Sequence, residues 1–313
     1  MTAPVKLAIV GLGKIAHDQH LPAVAKSKAF DLVATVDRAG EGEPDLPFFR
    51  SIEELVASGI EVDAVSVCTP PQVRHDVAQQ ALDQGWHVLL EKPPGATLAE
   101  VVALRESAAE RKLTLFTAWH SQFARGVEPA TAWLADKTIR SARIVWREDV
   151  RVWHPGQAWI WKSGGFGVFD PGINALSIIT RILPRPLFVE SSALQFPSNL
   201  GAPIAAQMTL RDRRDVTIDM DLDFRQEGPQ HWDIFVDTDG GELRLAKGGA
   251  ELFIGGEQVH AEEGDLAGEY PGIYRRFLAL IRAGISDVDV SPLRLVADAF
   301  LCGAITSVEE FHE

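Results

Sequence analysis

The side chains best suited to chemistry are concentrated between Trp146 and Asn174. This stretch holds the acids Glu148, Asp149 and Asp170, the bases Arg147, Arg151 and His154, and the tryptophans Trp146, Trp153, Trp159 and Trp161. A glycine run, Gly164, Gly165 and Gly167, follows them. Tryptophans at this density do not all fit a core. Flat faces beside acids and amides suit a ligand that carries many hydroxyls on a partly apolar ring. Glu148 is a candidate acceptor for two ligand hydroxyls, and Trp153 and His154 are candidates to stack on and bind the ring. Trp159 and Trp161 are expected to wall the loop. Asp170 and Asn174 share one helix face if Pro171 opens a helix. Asp170 would then be the N-cap of Pro171–Leu183, a role worth about 1 kcal/mol and compatible with proton transfer.

A second group of candidates lies near the N-terminus. Val5–Val10 reads as a buried strand, being short and rich in branched side chains. It runs into Gly11-Leu12-Gly13-Lys14-Ile15-Ala16, which fits GxGxxG/A. The first glycine permits a tight turn, the second lets backbone approach a pyrophosphate, and the small third residue lets helix and strand pack closely. The following helix aims its N-terminal amides at phosphates. A second strand, Phe30–Val36, delivers Asp37 about twenty residues on, where a carboxylate accepts from ribose hydroxyls. That acid favours NAD, and the neighbouring Arg38 would allow NADP as well.

The elements that must position these groups alternate. Ser51-Ile52-Glu53-Glu54 and Thr97-Leu98-Ala99-Glu100 are capping boxes. Strands are expected at Ala64–Val67, His87–Leu90 and Leu113–Thr117, with an amphipathic helix marked by Val73, Val77, Ala81 and Leu82 between the first two. Such alternation means a doubly wound parallel sheet, whose ligands sit at the C-terminal strand ends. Cys68-Thr69-Pro70-Pro71, Glu91-Lys92-Pro93 and Trp119-His120 fall there. Cys68 is expected to pack against the cofactor, with Thr69, Pro71, His75 and Glu91 near it. Pro93 stiffens the turn that carries Lys92, whose ammonium is a candidate to assist deprotonation of a substrate hydroxyl. His120 is placed at the ligand or at the cleft edge.

These motifs together resemble the Gfo/Idh/MocA family of glucose–fructose oxidoreductases and inositol dehydrogenases, over nearly the whole chain. The runs HDQHLPA, LEKPPGATL, WHSQ, EDVRVWHPGQAWIW, GGFGVFDPGINALSIITRILPR and SDVDVSPLRLVADAFL look like its subgroup of bacterial L-arabinose and D-galactose 1-dehydrogenases. The resemblance implies an NAD(P)-binding Rossmann domain, expected over residues 1–121, and a substrate-binding α+β domain with a large, mostly antiparallel open sheet, expected over residues 122–313. It implies oxidation of an anomeric carbon to a lactone. The EKP lysine of the family matches Lys92. Its acid–base motif has Asp followed four residues later by His, and this chain has Asp170 and Asn174 instead. Asparagine exchanges no proton at neutral pH, so Asn174 binds or orients, and Asp170 and Lys92 are left as the proton-transfer candidates. Galactose and arabinopyranose share most of their ring configuration. A pocket for one excludes the other by only about 1–3 kcal/mol.

Beyond Asp170 the pattern alternates at Leu187–Phe196, Pro203–Leu210, Val216–Phe224, Trp232–Val236, Leu243–Leu245 and Leu252–Ile254, the strands of the expected open sheet. One face of that sheet is available to a second copy of the chain, and Trp232 is a candidate to reach the sugar. Tyr270–Arg282 and Leu293–Val308 read as amphipathic helices, the segment at about 290–310 returning toward the first domain. Net charge is −14, which argues against nucleic acid. No apolar run reaches the roughly 20 residues of a membrane span, and a strand that begins almost at Met1 leaves no room for a signal peptide. Cysteine is limited to Cys68 and Cys302, and no CxxC or HExxH spacing occurs. A reducing cytoplasm and chemistry without a metal are expected. Rival readings are an inositol or xylose dehydrogenase of the same family, and a non-catalytic sugar- or NAD(P)-sensing protein.

Overall fold

Val5–Val10 (β1) is fully buried from Leu7 onward, as expected of a branched apolar run inside a sheet covered on both faces. In the computed structural model, which describes residues 3–260 and 268–312, it pairs in parallel with Phe30–Val36 (β2) and Ala64–Val67 (β4). Phe48–Phe49 (β3), His87–Glu91 (β5) and Leu115–Ala118 (β6) complete an all-parallel sheet in the order β3-β2-β1-β4-β5-β6. Strand order reverses between β1 and β4, the switch point at which ligands of such sheets bind. The core below contains Val10, Val36, Val67 and Leu90 with Leu55, Leu82 and Leu104 from the covering helices.

Local signals set the helix starts. Thr97 and Glu100 form a full reciprocal capping box. At Ser51 only half of it forms: Ser51 Oγ accepts from Glu54 N at 3.2 Å, but the Glu54 carboxylate turns back to Arg50 N at 2.8 Å. Helix Pro71–Asp83 buries Arg74, Ala78, Ala81 and Leu82, while Val73 faces solvent. The buried Arg74 thus replaces the expected Val73 on the inner face, because three backbone carbonyls await its guanidinium.

The second sheet contains Ile139–Arg147 (β7), Leu187–Pro197 (β8), Ala205–Asp212 (β9), Thr217–Asp223 (β10), His231–Thr238 (β11), Gly241–Ala246 (β12), Glu251–Ile254 (β13), Glu257–His260 (β14) and Gly303–Val308 (β15). Its order is β14-β13-β12-β11-β7-β10-β9-β8-β15. Only β7·β10 and β8·β15 are parallel. Helix Phe169–Ile182 lies along it with eleven buried residues, and Phe169 meets Phe300 of helix Ser291–Leu301 at 5.5 Å.

The chain divides into two compact units, Met1–Trp119 with Tyr270–Val290, and His120–Glu269 with Ser291–Glu313. The element packed with the first unit is therefore helix Glu269–Ala283, one helix earlier than the segment at 290–310. Its Tyr274 meets Phe30 edge-on, and Phe277 stacks on Phe30 and on Phe116. Helix Ser291–Leu301 instead packs on β8 and on helix Phe169–Ile182, within the second unit. The expected helix over Leu293–Val308 ends at Leu301, and its remainder becomes the edge strand β15. None of the described helices is long and apolar enough to cross a membrane.

Candidate active site

Gly11 ends β1 with φ of +95°, and a Cβ there would lie 2.8 Å from Thr69 N and 2.9 Å from the Cys68 carbonyl carbon. The turn after β4 therefore demands glycine at this position. Gly13 differs. A Cβ on it would meet nothing within 4 Å, and its carbonyl accepts Ala16 N at 3.0 Å as the next helix begins. Nothing in the protein's own packing excludes a side chain there, whereas close passage of a diphosphate over helix N-terminal amides would. Lys14 is exposed and paired with Asp18, and Ile15 is half-buried.

Asp37 follows β2 and accepts from Leu12 N at 2.6 Å, Gly40 N at 2.6 Å and Ala39 N at 2.8 Å. Partial burial pushes its carboxyl up. The three amides and the Arg50 guanidinium outweigh that, and the net direction is down. An ionised carboxylate is thus built into the glycine turn, where two ribose hydroxyls would find an acceptor. Arg38 is exposed beside it. Arg50, which no motif points to, donates to Gly40 O at 2.6 Å.

The ends of β4 and β5 are tied together. Arg74 donates to Glu91 O at 2.7 Å and also to Pro93 O and Thr69 O, so one guanidinium holds the Thr69 turn and the Lys92 turn. Pro71 opens the helix that carries Arg74, and half-buried His75 pairs with Asp76 at 2.9 Å. Cys68 is buried, and Thr69 and Lys92 are half-buried. Glu91 is buried: Oε2 accepts from Lys92 N at 2.8 Å, and Oε1 accepts from Tyr270 Oη at 2.7 Å. His20 Nε2 lies 3.1 Å from the same Oε1.

In the second unit, β7 ends at Arg147 and delivers Glu148, which is 2% exposed. Trp232 Nε1 donates to Glu148 Oε2 at 2.7 Å, and His154 Nε2 bonds Glu148 Oε1 at 2.8 Å. His154 Nδ1 lies 3.6 Å from Asp170 Oδ2, too long for a hydrogen bond but close enough for charge to be felt. A carboxylate–imidazole–carboxylate series results, its two acids buried and its imidazole half-buried. Trp153 packs edge-on against Trp232 at 4.8 Å. Asp149 caps the short turn Val150–Trp153 and chelates Arg151, so it serves structure. Trp146 and Trp161 are core, and Trp153 and Trp159 are partly exposed. Asp170 is not the N-cap: the helix starts at Phe169, and the cap position falls on Val168, whose side chain accepts nothing. Asp170 is therefore not used as the cap. Asn174 lies one turn on, half-buried. Buried His120 bonds the Glu269 carboxylate, and its short helical turn packs on the helix that carries Asp170.

The structure thus gathers Glu148, Trp153, His154, Asp170 and Trp232 in one unit, and Gly11, Gly13, Asp37, Cys68, Thr69, Glu91 and Lys92 at the strand ends of the other. Sequence reasoning passed over His20, Arg50, Arg74, Tyr270 and Tyr274. Only the HDQH run marked His20, and the Tyr270–Tyr274 pair at helical spacing carried no sign of a carboxylate partner. Among the described residues no group of three or more His, Cys, Asp or Glu is arranged to hold a metal.

Residues 5–119 match the oxidoreductase family with an NAD-binding Rossmann fold, Gfo/Idh/MocA. A curated relative, galactose 1-dehydrogenase of Pseudomonas fluorescens, is 47% identical over 312 residues, 99% of either chain. The crystal structure of the D-galactose-1-dehydrogenase protein from Rhizobium etli superposes with a TM-score of 0.94 at 51% identity, covering 100% of this chain and 99% of that one. GenD2 from gentamicin A biosynthesis, solved with NAD, shares the fold at a TM-score of 0.82 and 19% identity, over 96% of this chain and 95% of its own. A parallel sheet with a glycine turn at its switch point thus stands beside relatives that span the whole chain, which belongs to the Gfo/Idh/MocA oxidoreductase family.

Proposed function

We propose that this chain is an NAD(P)-dependent aldose 1-dehydrogenase that oxidises the anomeric carbon of D-galactose, L-arabinose or both, as pyranoses, to the lactone. The observation that carries the site is the series Glu148–His154–Asp170, flanked by the Trp153 and Trp232 rings. It offers a proton acceptor backed by a second titrating group, beside flat apolar faces that suit a sugar ring. The choice of sugar rests on the two full-length relatives at 47% and 51% identity, each named a galactose 1-dehydrogenase.

When bound, NAD(P)+ supplies the hydride acceptor. Gly11, Gly13, Lys14, Ile15 and Asp37 hold its diphosphate and ribose, with Arg38 admitting NADP, and Cys68, Thr69, Pro71, His75 and Glu91 line the rest of its bed. As the C1–H electron pair leaves the sugar, the O1 proton passes to the Asp170 carboxylate and a C1=O bond forms. The Lys92 ammonium donates to O1 and stabilises the negative charge that develops there. Asn174 orients the ring, since an amide exchanges no proton. Glu148 aims the His154 imidazole at Asp170, and His120, Trp153 and Trp232 bind hydroxyls and the ring face. The two thiols, Cys68 and Cys302, are unbridged, which suits a cytoplasmic site of action. Pairing of the nine-stranded sheet with a second copy belongs to the same proposal and is read by light scattering.

The test is NADH formation, followed by its ultraviolet absorbance, across a panel of aldoses and polyols. Turnover is expected with galactose, arabinose or both. Turnover with inositol but no aldose would move the chain to another branch of the family. Sugar binding without turnover would make it a sensor.

A further inference from the structure

Beneath the Lys92 turn lies a buried polar network around Glu91, whose members His20, Tyr270 and Tyr274 have no part in the proposed reaction. His20 has no exposed surface and sits between two partners: Nε2 is 3.1 Å from Glu91 Oε1, and Nδ1 is 2.8 Å from Tyr274 Oη. Tyr274 Oη lies 3.0 Å from Ser66 Oγ. Tyr270 donates to the same Glu91 oxygen that faces His20. His20 belongs to a π-helical turn, Ala16–His20, within the helix that begins at the glycine turn. Such turns are rare and recur at functional sites.

We propose that His20 is a positioning residue for Lys92, acting through the Glu91 carboxylate. His20 and Tyr270 hold one oxygen of Glu91, and the other oxygen holds the Lys92 amide. Arg74 grips the carbonyls on either side, Glu91 O and Pro93 O. The main chain of residue 92 is then fixed. A buried carboxylate needs a charged or multiply bonded partner to stay ionised, and His20 supplies one. Burial works against a charged imidazole. The surrounding Cys68, Tyr274 and Glu91 outweigh it and hold the His20 pKa well above its ordinary value. With both ring nitrogens protonated, Nε2–H donates to Glu91 and Nδ1–H to Tyr274, whose own hydroxyl is left to donate to Ser66.

The catalytic meaning of this clamp rests on the role proposed for Lys92, so its test has one arm that needs no turnover. His20→Leu removes both donors, and His20→Gln keeps an N–H toward Glu91. In His20→Leu, kcat for galactose should fall about tenfold or more, while the KM for sugar and the Kd for NADH stay within about threefold. His20→Gln should recover most of that loss. Hydrogen–deuterium exchange at the Lys92 amide should quicken about tenfold in His20→Leu and less in His20→Gln. A folded His20→Leu with wild-type kcat, or equal losses in both variants, would overturn the positioning role. So would unchanged exchange at Lys92, whether or not the wild type oxidises any aldose. If His20→Leu does not fold, Tyr270→Phe, which deletes one hydroxyl from the same carboxylate oxygen, carries the same expectations. Failure of the wild type on every sugar would remove the proposed reaction alone, and exchange would still decide the clamp.

Discussion

Alanine at the two glycines of the first turn separates what the fold needs from what the cofactor needs. A Cβ at Gly13 meets no atom within 4 Å, so the native state gives up no packing. The unfolded chain loses backbone freedom, and stability should hold level or rise by up to about 1 kcal/mol. That methyl occupies the space through which a diphosphate approaches the helix N-terminus. Loss of one charge-assisted hydrogen bond there is worth about 1.5–3 kcal/mol, and the Kd for NADH should rise about 10- to 150-fold. Gly11→Ala should do the reverse. Its Cβ would lie 2.8 Å from Thr69 N and 2.9 Å from the Cys68 carbonyl carbon, backbone atoms that cannot swing aside, at φ of +95°. Overpacking and the left-handed backbone together cost about 2–5 kcal/mol, which lowers Tm by several degrees. Thermal melting and a fluorescence titration with NADH on the same preparations read both effects. If Gly13→Ala binds NADH within twofold of wild type, no phosphate passes over residue 13, and the cofactor assignment at this turn is wrong. A Gly11→Ala protein as stable as wild type would refute the packing of the two turns.

Lys92→Ala and Asp170→Ala should each lower kcat by at least about 10²-fold, the usual scale for proton-transfer groups, and wild-type turnover in either would remove that residue from the chemistry. Asp37→Ala should shift the ratio of kcat/KM for NADP over NAD upward by about tenfold or more, since the carboxylate that repels a 2′-phosphate is gone, and an unchanged ratio would show that the ribose lies elsewhere. Burial pushes the Asp212 carboxyl up, but the amides of Arg214 and Val216 and the Arg185 guanidinium outweigh it and lower its pKa. Its stabilisation is therefore complete above about pH 4 and lost as pH falls through the depressed native value. Asp212→Asn should cost about 1–3 kcal/mol at neutral pH, a gap in Tm that narrows in acid; a gap of equal size at pH 3 and 7 would contradict this.

The first unit was nearly all legible because its signals are local. A strand, a glycine turn and an acid ending the next strand lie within a few dozen residues, and each has a physical reason independent of what packs on it. Helices Glu269–Ala283 and Ser291–Leu301 show what was not legible. Each has an apolar stripe, with Tyr270, Tyr274 and Phe277 on one and Leu293, Val296 and Ala299 on the other. A stripe states that a face is buried, not against which sheet. Tyr274 and Phe277 reach Phe30, which lies far away in sequence, and nothing near them marks that partner. Apolar spacing predicts helix on through Gly303–Val308, past the stop signal of Gly303 itself. Its pairing with β8 supplies the ladder that makes it a strand. Tertiary context overrides propensity most easily at such an edge. Val73 and Arg74 failed for a related reason, since apolar periodicity assigns a guanidinium to solvent unless its carbonyl acceptors are known.

The asparagine at position 174 bears most directly on the chemistry. Where the family motif has an imidazole one helical turn after the aspartate, this chain has a group that cannot titrate. In the structure an imidazole still stands beside Asp170, but it comes from His154, at the end of the short turn that Asp149 caps. The two arrangements differ physically. An imidazole on the same helix would be held by the helix backbone, while His154 takes its aim from the Glu148 carboxylate, itself fixed by Trp232 Nε1. The buried acid therefore orients the imidazole from one side as Asp170 faces it from the other. On this view the loss of a titrating group at 174 is no sign of a silent site. Asp170 and the imidazole beside it come from two elements of the second unit instead of one helix, which is why spacing along the sequence could not display the pair.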